Sequence, residues 1–254
     1  MSGVTESFAN GVLTLSLDRP DKRNAIDAAM LDGLAAGLAR AELDADVRAV
    51  VLRGAGRDFC AGADLDELLA SADKSLEENE RSALALGEIF LALRQVPKPT
   101  VAVVHGRALA GGAGLAMASD VVLATESSRF GFPEIERGFV PAMVMTMLRR
   151  SVGEKHAFEL VSTGRVLSAH EAREIGLVSR VFAAKEFDPL SKALLDKLAA
   201  APPSAMAATK TLFYKLDTLG FLDGISAGIV ANADARATPA FRDGVKRFTS
   251  RKRE

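Results

Sequence analysis

Twice within the first 118 residues a short apolar run leads through a turn of small residues into a helix-like segment. Ala49-Val50-Val51-Leu52 passes through Gly54-Ala55-Gly56 to Phe59-Cys60-Ala61-Gly62-Ala63-Asp64-Leu65, and Thr100–Val104 passes to Ala110-Gly111-Gly112-Ala113-Gly114. Runs of four to five apolar residues read as strands buried on both faces, and strands alternating with helical patterns imply a parallel or mixed sheet covered by helices. The flanking segments agree. Val12–Leu17 alternates with a period near two, and Asp27 is placed to cap a helix carrying Leu31, Leu34 and Leu38 on one face. Leu86, Ile89, Phe90 and Leu93 predict a further helix ended by Pro97 and Pro99; Val121–Ala124 predicts another strand, and Leu177–Phe182 the last one. Val144, Met147 and Leu148, then 157–161 and 169–175, are helical in pattern.

Beyond about Phe187 only helical patterns remain, at 190–198, 206–216, 220–235 and 241–248. Their apolar residues Leu212, Phe213, Leu216, Leu219, Phe221 and Leu222 are numerous for so small a region, which implies burial against another subunit or the core. The polar stretch 71–81 (SADKSLEENER) reads as a mobile surface connection. Lysine plus arginine number 32 against 33 acidic residues, so no broad basic field points to nucleic acid. A single cysteine, Cys60, excludes an internal disulfide framework and fits a reducing compartment. The first twenty residues carry neither a basic–apolar leader nor an arginine-rich transit pattern, and no apolar stretch nears the roughly 20 residues of a membrane span. A soluble, cytoplasmic protein acting on a small ligand is the expectation.

At a helix start several backbone N–H groups lack intrahelical partners and the local field is positive, so a negative oxygen is stabilised there. Two such groups aimed at one point form an oxyanion hole, in which one donor is worth roughly 3–4 kcal/mol in the transition state. Small residues in such turns also serve close packing of helix on strand, and on this pattern alone both readings stand. Neither loop has the spacing of a nucleotide-phosphate loop.

Three segments, Phe59–Leu65, Ala108–Ala116 and Phe130-Gly131-Phe132-Pro133-Glu134-Ile135, resemble in order and separation the signatures of the enoyl-CoA hydratase/isomerase (crotonase) superfamily. The likeness extends from Asn24-Ala25 through Val152-Gly153 and 160–164 to Gly176-Leu177-Val178. It implies a crotonase-like α/β spiral of repeated ββα units over residues 1–190, holding the CoA and active sites. A C-terminal helical region, 191–254, would assemble trimers or hexamers. The substrate implied is an acyl-CoA, with coenzyme A part of the substrate and no separate cofactor, no metal, no nucleic acid and no membrane partner. By position, the amides of Ala63 and Gly111 would hold the thioester oxygen, Glu134 would act as acid and base, and Arg23, Ala25, Ala61, Gly62, Ala63, Asp64, Leu65 and Gly111 would line the CoA path.

One position departs from the pattern. Hydratases of the superfamily use two glutamates, and the first falls here on Gly114, leaving Glu134 alone. One carboxylate suffices to carry a proton between two carbons, as in the family's single-glutamate isomerases, so double-bond isomerisation is preferred over hydration of a short or branched enoyl-CoA. The second acid of the dienoyl-CoA isomerases would fall on Ala142, which disfavours that subclass. A CoA-binding member with little activity and a serine protease on the related spiral are the competing classes.

Other candidates read as bland. His105, His156 and His170 lie in unrelated segments, Cys60 lacks a neighbouring base, and Glu134 taken alone could be a surface acid near Arg137. The basic cluster Arg247, Arg251, Lys252 and Arg253 reads as a solvated end or, by resemblance, a CoA phosphate contact. Phe139, Met143 and Met145 are candidates for acyl selection.

Overall fold

A computed structural model describes residues 3–251, so Lys252 and Arg253 lie outside the described residues. Its main sheet has six strands in the order β1-β2-β3-β4-β6-β9: β1 Val4–Ala9, β2 Val12–Leu17, β3 Ala49–Gly54, β4 Thr100–Val104, β6 Val121–Thr125 and β9 Arg180–Phe182. Only the β1–β2 pair is antiparallel. Side chains alternate across a strand, and here both sides are covered. Val50, Leu52, Ala102, Val104, Val122 and Ala124 join the large core beneath α1 (Ala28–Leu43), α3 (Leu76–Gln95) and α4 (Gly111–Ala118). Val51, Val101, Val103 and Leu123 turn the other way and meet Phe187, Leu194, Leu195 and Leu198 of α8 (Ala184–Ala199). Residue 190, the boundary expected from composition, therefore falls inside a helix that covers the sheet.

A second sheet is built from strands of three residues each, β5 Arg107–Leu109, β7 Arg129–Gly131 and β8 Val166–Ser168, ordered β5-β7-β8. Two isolated parallel bridges, Cys60 with Ala108 and Ile26 with Ala63, continue it on the β5 side. The chain thus repeats two strands and a helix: β1–β2–α1, then β4–β5–α4, then β6–β7 followed by α5 (Ala142–Val152), the second strand being short in the last two repeats.

Asp27 caps α1 by accepting from the Met30 amide at 2.8 Å. Residues 71–81 are not an irregular connection. Ser71–Asp73 is a 3-10 turn, and Ser75 opens α3 with a capping box in which its hydroxyl accepts from the Glu78 amide while the Glu78 carboxylate accepts from the Ser75 amide. The charged residues of that first turn are the exposed face of a helix whose later turns bury Ile89, Phe90 and Leu93.

The C-terminal helices are α9 (Pro203–Lys215), α10 (Phe221–Arg236) and α11 (Pro239–Arg251). Lys210 locks α9 to the body: its Nζ donates to the carbonyls of Leu93 and Lys98 and pairs with Asp120 at 2.8 Å, while the Tyr214 hydroxyl donates to the other Asp120 oxygen at 2.7 Å. Phe213, Leu216, Phe221 and Leu222 remain exposed, as do Ile225, Ile229 and Val230 along α10. No described helix is long and apolar enough to cross a membrane.

Candidate active site

The two small-residue loops are brought side by side by the Cys60–Ala108 bridge, in which the Cys60 amide donates to the Arg107 carbonyl and the Leu109 amide donates to the Cys60 carbonyl, each at 3.0 Å. Gly112, in the first turn of α4, makes this approach possible. A Cβ there would lie 2.4 Å from the Cys60 carbonyl oxygen and 2.8 Å from its sulfur.

Each loop presents an amide without an acceptor at the cleft, for a different reason. Gly111 is the first residue of α4, so no carbonyl one turn earlier in the helix is available to it. Ala63 precedes the six-residue helix α2 (Leu65–Ala70) and is freed instead by its bridge to Ile26. There the Ile26 amide donates to the Gly62 carbonyl and the Asp64 amide donates to the Ile26 carbonyl, both at 2.8 Å, so the intervening Ala63 amide faces away. Neither amide meets a backbone acceptor among the described residues. Ala110, just before Gly111, holds φ 50° and ψ −124°, a conformation costly for a residue with a Cβ. Its amide is held by the Gly131 carbonyl at 2.8 Å.

Both loops open on a cleft of about 630 Å³, lined also by Arg23, Ala25, Ala61, Asp64, Leu65, Leu86, Arg107, Glu134, Phe139, Met143 and Val144. Of the residues expected on the CoA path, Gly62 is absent from this lining, its carbonyl being spent on Ile26. Met145, expected near the acyl group, is absent as well. Asp64 borders the cleft with its carboxylate already engaged. One oxygen caps α2 at the Asp66 amide, the other accepts from Arg19 at 2.9 Å, and the Arg19 guanidinium holds the carboxyl below the usual range.

Arg19, which no sequence pattern marks, and Asn24, which the family likeness includes, carry structural roles. Arg19 also pairs with Asp27 at 3.1 Å and donates to the Ala25 carbonyl at 2.7 Å. Fully buried Asn24 donates to the carbonyls of Ala55 and Asp58 and accepts from the Arg19 amide. These bonds hold Arg23 and Asn24, at φ 53° and 55°, in a left-handed turn at the cleft rim.

Glu134 sits in a 3-10 turn, Pro133–Arg137. It is 8% exposed, so it is not a surface acid, and its Oε2 is buried without a hydrogen-bond partner. Burial raises its pKa above the ordinary carboxylate range, with the Glu134 backbone and the Arg137 charge offsetting part of the rise. Among the described carboxylates lining the cleft, Asp64 is capping and paired and Asp66 pairs with Lys22 at 2.8 Å, which leaves Glu134 as the one without an ion-pair partner. Cys60 is buried and its thiol is pushed up to about 12, which makes it a poor nucleophile. The described residues contain no cluster of three or more His, Cys, Asp or Glu able to hold a metal ion.

Residues 7–253 match the sequence profile of the enoyl-CoA hydratase/isomerase family. The chain belongs to that family. A Thermus thermophilus protein, provisionally named an enoyl-CoA hydratase, is 41% identical over 93% of this chain and 94% of its own. The 2,3-dehydroadipyl-CoA hydratase of Escherichia coli is 33% identical over 99% and 97%. Among solved structures, an enoyl-CoA hydratase from Mycobacterium smegmatis superposes with a TM-score of 0.94 at 35% identity, covering 98% of this chain and 96% of that one. This hydratase/isomerase-family enzyme therefore has the crotonase-like spiral that its three motifs imply.

Proposed function

We propose that this enzyme moves the double bond of an enoyl-CoA, with Glu134 as the single proton carrier. The observation behind this reading is the pairing of a buried Glu134 carboxylate, whose Oε2 has no hydrogen-bond partner, with a glycine at position 114. In the proposed step the thioester oxygen of a 3-enoyl-CoA accepts from the Ala63 and Gly111 amides. The Glu134 carboxylate removes a proton from C2, and the electron pair delocalises through the dienolate onto the held oxygen. The protonated Glu134 then returns that proton to C4, giving the conjugated 2-enoyl-CoA with no net gain or loss of atoms. Burial suits both halves, since it raises the basicity of the carboxylate and keeps the transferred proton from solvent. Arg23, Ala25, Ala61 and Leu65, at the rim, are assigned to the CoA moiety.

Hydration of a 2-enoyl-CoA is the second reading, favoured by the names of the relatives. It needs a water to be held and deprotonated as C2 is protonated, and Glu134 would have to do both. Purified enzyme offered crotonyl-CoA and a 3-enoyl-CoA separates the two. Faster conversion of the 3-enoyl-CoA, abolished by Glu134→Gln, supports isomerisation; faster hydration of crotonyl-CoA refutes it, and turnover of neither refutes both. Oligomerisation through α9–α11 is part of the proposal, supported by the exposed apolar row on α10, and light scattering of the eluted protein tests it.

A further inference from the structure

We infer that Phe90 is the residue restricting this site to one carboxylate, and with it the reaction the site can run; the inference rests on the single-carrier reading of Glu134. Position 114 lies three residues beyond Gly111 on α4, so a side chain there would emerge on the same face of the helix as position 111. The room for it is taken. An ideal Cβ at Gly114 would stand 2.7 Å from Cζ and 3.1 Å from Cε1 of Phe90, and 3.1 Å from Cγ2 of Val144. Carbon atoms in good contact sit roughly 3.5–4.0 Å apart, so even one methyl group crowds this point, and a carboxylate chain needs several atoms more.

The obstruction belongs to the architecture as well as to the glycine. Phe90 comes from α3 and Val144 from α5, and both are buried in the main core, where a rigid ring has little freedom to swing aside. Leu86, one turn before Phe90, extends the same apolar wall to 3.5 Å from an ideal Cβ at Gly111. Val144 and Leu86 line the cleft itself. A water on this side would meet hydrocarbon where hydration chemistry needs a second acceptor. Phe90 touches no reacting atom in this scheme; it acts by occupying volume.

The test compares wild type, Gly114→Glu, Phe90→Ala and the double variant in two readouts: melting temperature, and turnover of crotonyl-CoA and a 3-enoyl-CoA. Gly114→Glu alone is expected to melt below wild type and to hydrate no faster. Adding Phe90→Ala should restore melting relative to that single variant and raise hydration at least about tenfold over either single variant. Additive effects on melting, or hydration by Gly114→Glu alone equal to that of the double variant, overturn the steric role. Coupled melting without gained hydration overturns the catalytic consequence. Should Gly114→Glu fail to fold, Gly114→Ala with Phe90→Leu supplies the same melting comparison. Wild type that hydrates and does not isomerise refutes the single-carrier reading, whereas the melting coupling judges Phe90 independently of that result.

Discussion

Ala63 and Gly111 each lie three residues past the bridged pair Cys60 and Ala108, Ala63 in its own bridge to Ile26 and Gly111 at the start of α4. Parallel pairing keeps such offsets in step, so one bridge aligns two loops separated by almost fifty residues of sequence. Substituting Gly112 by alanine would force the added methyl against the Cys60 carbonyl and disturb this alignment. We expect a loss of about 1–3 kcal/mol in stability, read by urea denaturation, together with a fall in kcat larger than any change in acyl-CoA binding.

Glu134→Gln removes the proton carrier and keeps the shape. Turnover of the preferred enoyl-CoA should fall about 100- to 10,000-fold, while the melting temperature stays level or rises because the amide has no charge to desolvate. An unchanged kcat would remove Glu134 from the chemistry.

The raised pKa of Glu134 fixes a sign for pH effects. In the unfolded chain the group titrates near 4.3, roughly the ordinary glutamate value. Folding favours its protonated form, so that contribution to stability is present below the unfolded pKa and lost as pH rises through the folded one. Relative to Glu134→Gln, wild type should therefore lose stability with rising pH in the window that starts near the ordinary value and ends above it. The acid limb of kcat for isomerisation should lie above that ordinary value too. Denaturation curves and rate profiles across mildly acidic pH check both, and a constant stability difference between the two proteins would contradict the assignment.

Arg19→Ala leaves Asp64 without its cation and the Ala25 carbonyl without a donor. Removal of such charged hydrogen bonds typically costs about 1.5–3 kcal/mol each, and the rim turn at Arg23–Asn24 should loosen with it. The expected kinetic signature is a raised KM with a smaller effect on kcat. Asp64, held below its usual range by Arg19, should lose its contribution to stability as pH falls through its folded pKa in wild type and show less of this loss in the variant.

Lys210→Ala strands Asp120 next to Thr100 and Tyr214 at the foot of α9. A loss of roughly 3 kcal/mol is expected from breaking so buried a pair, and hydrogen exchange should locate it in α9 and the end of α4. Desolvation pushes the lysine pKa down even though Asp120 pushes it up, so the cation is held by geometry at a cost.

Much of this was readable residue by residue. The buried runs at 49–52 and 100–104, the Asp27 cap and the periodicity of α1, α3 and α5 carry strong local signals, because burial on both faces and helical period leave visible patterns. The strands β5, β7 and β8 do not, since three residues are too few to display a period. Ser75 and Glu78 spell a capping box that the surrounding charge obscures. At the site, the motif residues mark the amides and Glu134, whereas Arg19, Asn24 and Phe90 act through contacts with segments remote in sequence that only folding brings to them.

The two free amides are main-chain groups, and this decides how such a site can diverge. Replacing a side chain leaves an N–H in place; only proline deletes it. The half of the site that would hold the carbonyl is thus written in a form that ordinary substitution does not erase, while the half that would move protons depends on one carboxylate and on what fills the volume opposite. A lineage can exchange the second half and keep the first. New chemistries are then reached by point changes around 114 and 134, on a scaffold that continues to recognise the same kind of thioester.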